Sequence, residues 1–498
     1  MDCNRINNRN QRKIYKRIII RGSLVLDTPT CLGSGDTDGN IDLQILRDSI
    51  EDKALLMGSS IAGALRNYLR EYQNSDEFSL FGGLRTDEDG DQSPLIINDA
   101  ISSKIIQPEL RDSVKIDSVT RTAADKAKYD LELLQADTEF PLCFELLIEE
   151  KPENPNYESS LLKGLAIALK GLEKGEISLG IKKHRGFGRC HVKEWQVWQF
   201  DLRNASDRIA WLTLDHSWST DTPCTKLPSN GASIVLVMKE AGLEFPEEWE
   251  DQREFCKIHA TFTLASPLLI RSGQASSDKA PDVVHLKSRR NGELKPVLSG
   301  TSLAGVLRHR AEKIVNTLTE CKKPLVTKRI IKEIFGFVPD KKDQSEIEDI
   351  DQNNEKAKAS RLIVHESIIE NYTDLVQNRI AIDRFTGGTL HGALFNEQPI
   401  FPKDGTHLEL NLELRNPEDY EIGLLLLLLK DLWTGDLPVG GTSSIGRGRL
   451  QGKNAAIKLR REGKTETFTI VQSSENLVVS DAKSLQDFVS ALNEEVNK

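Results

Sequence analysis

No two of the seven cysteines in this 498-residue chain are spaced C-x-x-C. They stand at Cys3, Cys31, Cys143, Cys190, Cys224, Cys256 and Cys321, scattered and odd in number. That excludes a disulfide framework and a cysteine zinc centre, and they read as free, mostly buried thiols. No apolar run approaches the ~20 residues of a membrane span. The longest, Leu424 to Leu429, is closed by Lys430 and reads as a buried helix. The start, MDCNRINNRNQRK, has no apolar signal-peptide core, so a cytoplasmic protein with no membrane partner is expected. Also missing are a P-loop lysine motif, a Ser/His/Asp grouping and metal-spaced histidines. A net charge of -10 excludes a uniformly phosphate-binding surface. It leaves local basic stretches: Arg9 to Arg21, Lys182 to Arg189, Lys287 to Arg290, and Arg447 with Arg449.

What is present is a repeat. "GSSIAGALR" at Gly58 to Arg66 returns as "GTSLAGVLR" at Gly300 to Arg308, with six of nine positions identical. Upstream, "LVLDTPTCLGSG" (Leu24 to Gly35) answers "FTLASPLLIRSG" (Phe262 to Gly273). Downstream, Phe81-Gly82 answers Phe335-Gly336, and "KIDSVT" at Lys115 answers "AIDRFT" at Ala381. The apolar stretches ending at Gly180 and Gly440 match too. Each runs into a Gly/Arg loop, "HRGFGR" (His184 to Arg189) and "SSIGRGR" (Ser443 to Arg449). Landmarks in one order in both halves mean duplication, with a period too long for a solenoid. The division is residues 1–203 for the first unit, 204–254 for a connector and 255–498 for the second. Within the second, 339–360, the heart of a polar stretch from Glu333 to Ser360, reads as a mobile insertion. Residues 455–498 read as a C-terminal extension.

Each copy alternates strands and helices, an α+β pattern. Ile18 to Leu26 is β-branched and apolar, a strand. Ser59 or Ser60 can cap the next helix, whose stripe is Ile61, Leu65 and Leu69. Phe140 to Ile148 and His407 to Leu414 are matched strands, Leu161 to Leu172 and Gly423 to Leu432 matched helices. A last strand follows each Gly/Arg loop. Strand–helix–strand–strand–helix–strand (βαββαβ) predicts two tandem ferredoxin-like, RRM-like units.

Three features carry chemistry. The helix starts Gly58-Ser59-Ser60 and Gly300-Thr301-Ser302 present backbone N–H groups and a dipole that favour an anion. The Gly/Arg loops place Gly186, Gly188, Gly446 and Gly448 beside Arg185, Arg189, Arg447 and Arg449, and arginine suits phosphate. In a ferredoxin-like unit the loop lies near the first helix's start, giving one anionic groove per copy. Two grooves in tandem suggest a polymer with repeating phosphate, RNA or DNA, and the shortage of aromatics in them argues against readout by stacking. Third, loops over Gly33 to Asp48 and Ser272 to Lys287 carry carboxylates that can activate a 2′-OH or hold a metal. Asp42 stands 16 residues before Gly58 and Asp282 stands 18 before Gly300. Asp36, Asp38 and Asp278 compete for the role. His184, His285 and His391 lie near the grooves and read as structural or RNA-touching.

The order strand, Asp-bearing loop, "G-[ST]-S-[LI]-x-G-x-[LV]-R", "IDRxT", then "G-x-G-R" resembles the RAMP superfamily. More closely it is similar to backbone subunits of type III CRISPR effector complexes, and two units in one chain to the fused double-backbone subunit of III-D-like complexes. "IDLQILRD" (Ile41 to Asp48) resembles the family's "IDSPVVRD", whose aspartate cleaves RNA. The resemblance therefore implies catalysis by Asp42, and by Asp282 within "APDVVHL". It implies guide RNA held by the helix starts and loops; where the family often has lysine this chain has Ala62 and Ala304, so one phosphate contact per unit is either missing or supplied by Arg66 and Arg308. It implies a divalent metal, Mg²⁺ or Mn²⁺, through Asp42 and Asp282. Thumb hairpins fall at Val119 to Gln135 and Phe385 to Phe401, and kink the guide at regular intervals. The implied partners are CRISPR guide RNA, target RNA, a large subunit and further backbone subunits. The alternatives are a non-catalytic guide-binding scaffold, a histidine-dependent enzyme processing the guide precursor, and a tandem ferredoxin-like protein with no RNA.

Overall fold

The computed structural model describes residues 13–35, 42–73, 77–83, 92–117, 120, 122–216, 226–272, 281–338, 357–474 and 476–498. Asp36, Asp38, Asp278 and residues 339–356 of the expected insertion lie outside them. Glu333 does not belong to an insertion: it sits in the last turn of the Pro324–Phe335 helix. The far end of the polar stretch is also anchored, because Phe337 and Lys358 exchange backbone hydrogen bonds.

Two cores form, one per copy. In the first, Ile14–Leu26 is central in an antiparallel sheet. Glu139–Glu149 lies on one side with Leu95–Ile97 beyond it, and Cys190–Asp201 lies on the other with Ser229–Gly231 beyond it. The second copy repeats this order. Phe255–Leu264 lies between Ile400–Arg415, which Leu362–Val364 pairs, and Leu450–Arg461. Alternate residues of the central strand, Ile18 and Ile20, face a layer of two helices, Gly58–Gln73 and Tyr157–Glu173. The expected stripe is the one buried: Ile61, Leu65 and Leu69 all enter the core. The leucine run falls in the Asp419–Trp433 helix, which buries Leu424, Leu425, Leu428 and Leu429. Side chains of this size contribute ~2 kcal/mol each by leaving water.

The described residues of the 204–254 connector are built onto the first unit. Ser229–Gly231 extends its sheet edge, and Ile234–Glu240 packs on the Tyr157–Glu173 helix through Ile234, Val237 and Met238. The C-terminal residues do the same for the second: Lys464–Gln472 and Leu477–Val479 add strands, and the Ala482–Asn497 helix covers Asp419–Trp433.

Each copy also raises a two-stranded hairpin, Pro108–Ile116 with Ala123–Leu134 and Gln377–Ile382 with Thr389–Gln398. The repeated Ile-Asp motif makes both turns. Asp117 accepts from the Thr120 N–H at 2.7 Å, and Asp383 from the Thr386 N–H at 2.8 Å. The windows Val119 to Gln135 and Phe385 to Phe401 therefore take in the turn and second strand but miss the first strand.

The first hairpin and the first Gly/Arg loop both reach the second unit. Arg111 forms ion pairs with Glu109 and with Glu366 across the junction, and Arg290 pairs with the same Glu366. Ser288 donates to Glu109 at 3.0 Å. Burial alone would lower Arg111, but the carboxylates of Glu366 and Glu109 outweigh it and hold its pKa above the ordinary value. At the loop, Gly186 lies against the Glu366 N–H, and Gly300 against the carbonyls of Arg185 and Val364. A Cβ on Gly300 would stand 2.3 Å from the Arg185 oxygen, so the two backbones meet where no side chain fits.

Candidate nucleic-acid interface

Asp42 and Asp282 occupy equivalent positions. Asp42 Oδ2 accepts from the Asp130 N–H at 2.9 Å, and Asp282 Oδ2 from the Asn396 N–H at 2.8 Å. Both donors are on the second strand of a hairpin, 13 residues past the turn aspartate in each copy. The next residues pair with that strand in parallel, Leu43 with Leu131 and Val283 with Glu397. Both aspartates are exposed. Each hairpin thus fixes a surface carboxylate at its base.

Asp42 and Asp282 are the carboxylates by which a divalent cation would have to be held. Among the described residues no three His, Cys, Asp or Glu side chains gather into a metal-binding group. Each site offers an exposed carboxylate with one oxygen held by a backbone N–H. That donor set does not make an all-protein cage. It does fit Mg²⁺, which keeps several waters and is commonly held by one or two carboxylates plus substrate phosphates.

The helix starts differ from expectation. Neither Ser59 nor Ser60 caps the first helix. It begins at Gly58, whose N–H donates to Asp99 Oδ1 at 2.7 Å, so a carboxylate already occupies the N-terminal anion position. The Ser60 N–H donates to the Met57 carbonyl. Ser59 and Ser60 are exposed and line a cleft of about 330 Å³ with Asn67, Gly180 and Lys183. This cleft brings the first helix's start beside the Gly/Arg loop of its own unit. In the second copy Ser299 caps the helix, its Oγ accepting from the Ser302 N–H at 3.3 Å and the Thr301 hydroxyl at 3.2 Å. Gly300 is buried under the first unit's loop.

The two loops have one backbone shape. Lys182 and Thr442 are left-handed at φ 55° and 59°, and Gly186 and Gly446 follow at 86° and 84°. Gly188 and Gly448 are left-handed too, and a Cβ on either would stand 1.9 Å from a carbonyl, that of Leu179 or Val439. Their role is close backbone approach. Arg189 and Arg449 hold matched positions, their N–H groups donating to Thr28 Oγ1 and Ser266 Oγ. Arg449 is exposed and Arg189 half-buried.

Arg447 does not face a groove. It is 4% exposed, donates to Glu397 at 2.9 Å and to Gln377 at 2.6 Å, and stands where the first copy has Phe187. Arg66 and Arg308 are also engaged by the protein. Arg66 donates to the Gly82 carbonyl at 3.1 Å and Arg308 to that of Gly336 at 3.0 Å, each closing the helix after its own. Both stay half-buried.

Positive charge collects where the first loop meets the second unit. Burial, then the neighbouring Arg308, lowers Arg185, whose Nη1 is buried without a hydrogen-bond partner. Burial, then Arg415, lowers Lys183. His184 is pushed down to about 4 by burial and the cations Arg415, Lys183 and Arg185, and His365 to about 4 by burial and Arg189. His285 is structural: its Nδ1 accepts from the Ile270 N–H and its Nε2 meets the Val297 carbonyl. His391 is exposed on the second hairpin.

Sequence reasoning took in Lys183 only as part of the basic stretch Lys182 to Arg189 and did not single out Asp99 or Glu366. The last two could have been found by extending the repeat, since "PLIINDA" at Pro94 matches "RLIVHES" at Arg361.

No curated protein matches the chain. A family model described as the RAMP superfamily matches residues 23–191 and 261–451, one stretch in each copy.

Proposed function

The chain belongs to the RAMP superfamily, and from that membership we propose that it is the double-backbone subunit of a type III, III-D-like CRISPR effector complex. In this reading each copy is a ferredoxin-like unit whose hairpin is the thumb. Each unit holds guide RNA, and Asp42 and Asp282 cut the paired target RNA once per unit. The observation that carries it is the matched placement of the two aspartates, each exposed and tied to the base of its hairpin. A hairpin that displaces a nucleotide and a carboxylate at its foot put a distorted phosphodiester beside a fixed acid/base group.

The chemistry is attack of the ribose 2′-OH on the adjacent phosphorus. The 2′-oxygen bonds to phosphorus as its proton passes to water, the phosphorus bond to the 5′-oxygen breaks, and that oxygen takes a proton from water, leaving a 2′,3′-cyclic phosphate and a 5′-OH. The carboxylate orients the 2′-OH through the oxygen its backbone hydrogen bond leaves available. A divalent cation bound at Asp42 or Asp282 would offset charge on the phosphate oxygens. Lys183, Arg189 and Arg449 are the cations best placed for guide phosphates. Arg447, Arg66 and Arg308 hold the protein together.

The test is denaturing-gel cleavage of a guide-complementary RNA by the assembled complex with Mg²⁺, comparing wild type with Asp42→Ala and Asp282→Ala. Loss of one distinct product per variant supports two nuclease sites. An unchanged pattern in both leaves a guide-binding scaffold whose chemistry lies in its partners.

A further inference from the structure

The junction inside the chain shows how one unit receives the next. The first unit brings a hairpin carrying Glu109 and Arg111. The second receives it with Ser288, Arg290 and Glu366, whose side chains are all at least nine-tenths buried. The carboxylate of Glu366 lies between two guanidiniums, and burial, which would raise it, is outweighed by Arg111 and Arg290.

Because the chain is a repeat, the first unit also has a receiving face and the second a hairpin, and among the described residues neither is filled by the other unit. Their residues follow from the register. Gly58 faces the Ile97 carbonyl as Gly300 faces that of Val364, so Asp99 corresponds to Glu366. Counting from the aspartates Asp42 and Asp282, Asp48 corresponds to Ser288 and Ile50 to Arg290. Counting from the turn aspartates, Leu375 corresponds to Glu109 and Gln377 to Arg111.

The open faces do not reproduce the junction. The receiving face keeps an acid: Asp99 is exposed, accepts from Gly58, and has no ion pair among the described residues. Close to it in the chain and just past the paired strand, Ile101 and Met57 are exposed apolar side chains. The open hairpin lacks the cation. Gln377 stands where Arg111 would, and its oxygen is taken by Arg447. Two copies joined head to tail would bury Asp99 against a glutamine whose neighbouring cations, Arg447 and Arg379, are already paired with Glu397, leaving the Gly58 N–H to offset its desolvation.

We propose that the arginine at hairpin position 111 is the key that seats one unit on the next, and that the open face at Asp99 takes the hairpin of a separate RAMP-fold chain bearing a cation there, not a second copy of this chain. The proposal rests on the superfamily membership and not on RNA binding. Its tests contain no RNA, so the guide-binding reading stands or falls separately.

Sedimentation velocity of the intact chain gives the first test. Wild type is expected to stay monomeric as concentration rises. A variant carrying Leu375→Glu, Gln377→Arg, Glu397→Leu and Arg447→Phe rebuilds the first copy's hairpin base in the second and is expected to associate, with Asp99→Lys in the same chain reversing it. Wild-type multimers abolished by Asp99→Lys would overturn the proposal, as would a natively folded rebuilt variant that stays monomeric. Hydrogen exchange needs no rebuilt hairpin. Glu366→Gln is expected to speed exchange in residues 108–134 about tenfold or more, the scale of a broken buried pair, and to leave 377–398 unchanged. Equal protection of both hairpins in wild type and variant would overturn the key.

Discussion

Arg447 and Glu397 form a buried ion pair, 5% and 2% exposed at their side chains, at the place where the first copy packs Phe187 with Leu131. One chain thus holds two solutions to one packing problem, apolar against apolar and cation against anion. A buried pair must offset the desolvation of both charges, and here Arg379 and Gln377 add partners to it.

Arg447→Phe alone strands part of the Glu397 charge. It is expected to destabilise the second unit by about 2–4 kcal/mol in urea unfolding. Adding Glu397→Leu should recover most of that loss, since the first copy already shows the apolar pair fits. A double variant no more stable than the single would show that the sites are not interchangeable.

Gly188→Ala and Gly448→Ala each combine a φ near +80° with a Cβ 1.9 Å from a carbonyl. Each is expected to cost more than ~3 kcal/mol, because backbone on both sides must move. Gly446→Ala meets nothing within 4 Å and should cost about 1 kcal/mol, the left-handed penalty alone. Thermal denaturation of the three variants orders them.

Arg66→Ala and Arg308→Ala remove the arginines that close the following helices, so melting temperature should fall while the salt dependence of RNA binding stays as in wild type. Lys183→Ala and Arg449→Ala should do the reverse, lowering the slope of log affinity against log salt by about 1 each. Fluorescence anisotropy over a salt series separates the two pairs.

Stability should decline on acidification. His184, His285 and His365 are each held down at about 4 in the fold, while unfolded histidine titrates near 6.5. Between those values the unfolded chain binds more protons, so the stability present above pH 6.5 is lost as pH falls toward 4. Urea midpoints across that range should fall in wild type and fall less in His365→Gln. Equal slopes would place the loss elsewhere.

Much of this was legible in the sequence because repetition supplies a second reading of every landmark. The helix stripe Ile61, Leu65, Leu69 follows from spacing. The pairing of Asp42 with Asp282 follows from register, and the structure gives both the same hydrogen bond. What was not legible depends on distant residues. The cap on Gly58 comes from Asp99, 41 residues on, where local rules pointed to Ser59 or Ser60. Arg447 reads as a phosphate ligand in isolation, yet its alignment with Phe187 marks an interior position. Arg66 and Arg308 find carbonyls after a further helix, a distance no local motif encodes. The first loop meets the second unit's helix because the units stack, which neither copy states alone.

Arg111 and Glu366 are 255 positions apart in the chain. A ribosome adding ~5–20 residues per second needs roughly 13–50 s to bring the second into existence after the first. Through that interval the first unit has its own core but an unfinished edge, with Arg111 held by Glu109 and the Phe187 ring but not yet by Glu366, and the Lys183–Arg185 loop uncovered. The nascent first half therefore presents its basic edge to solvent and to any polyanion nearby before its covering half has been translated.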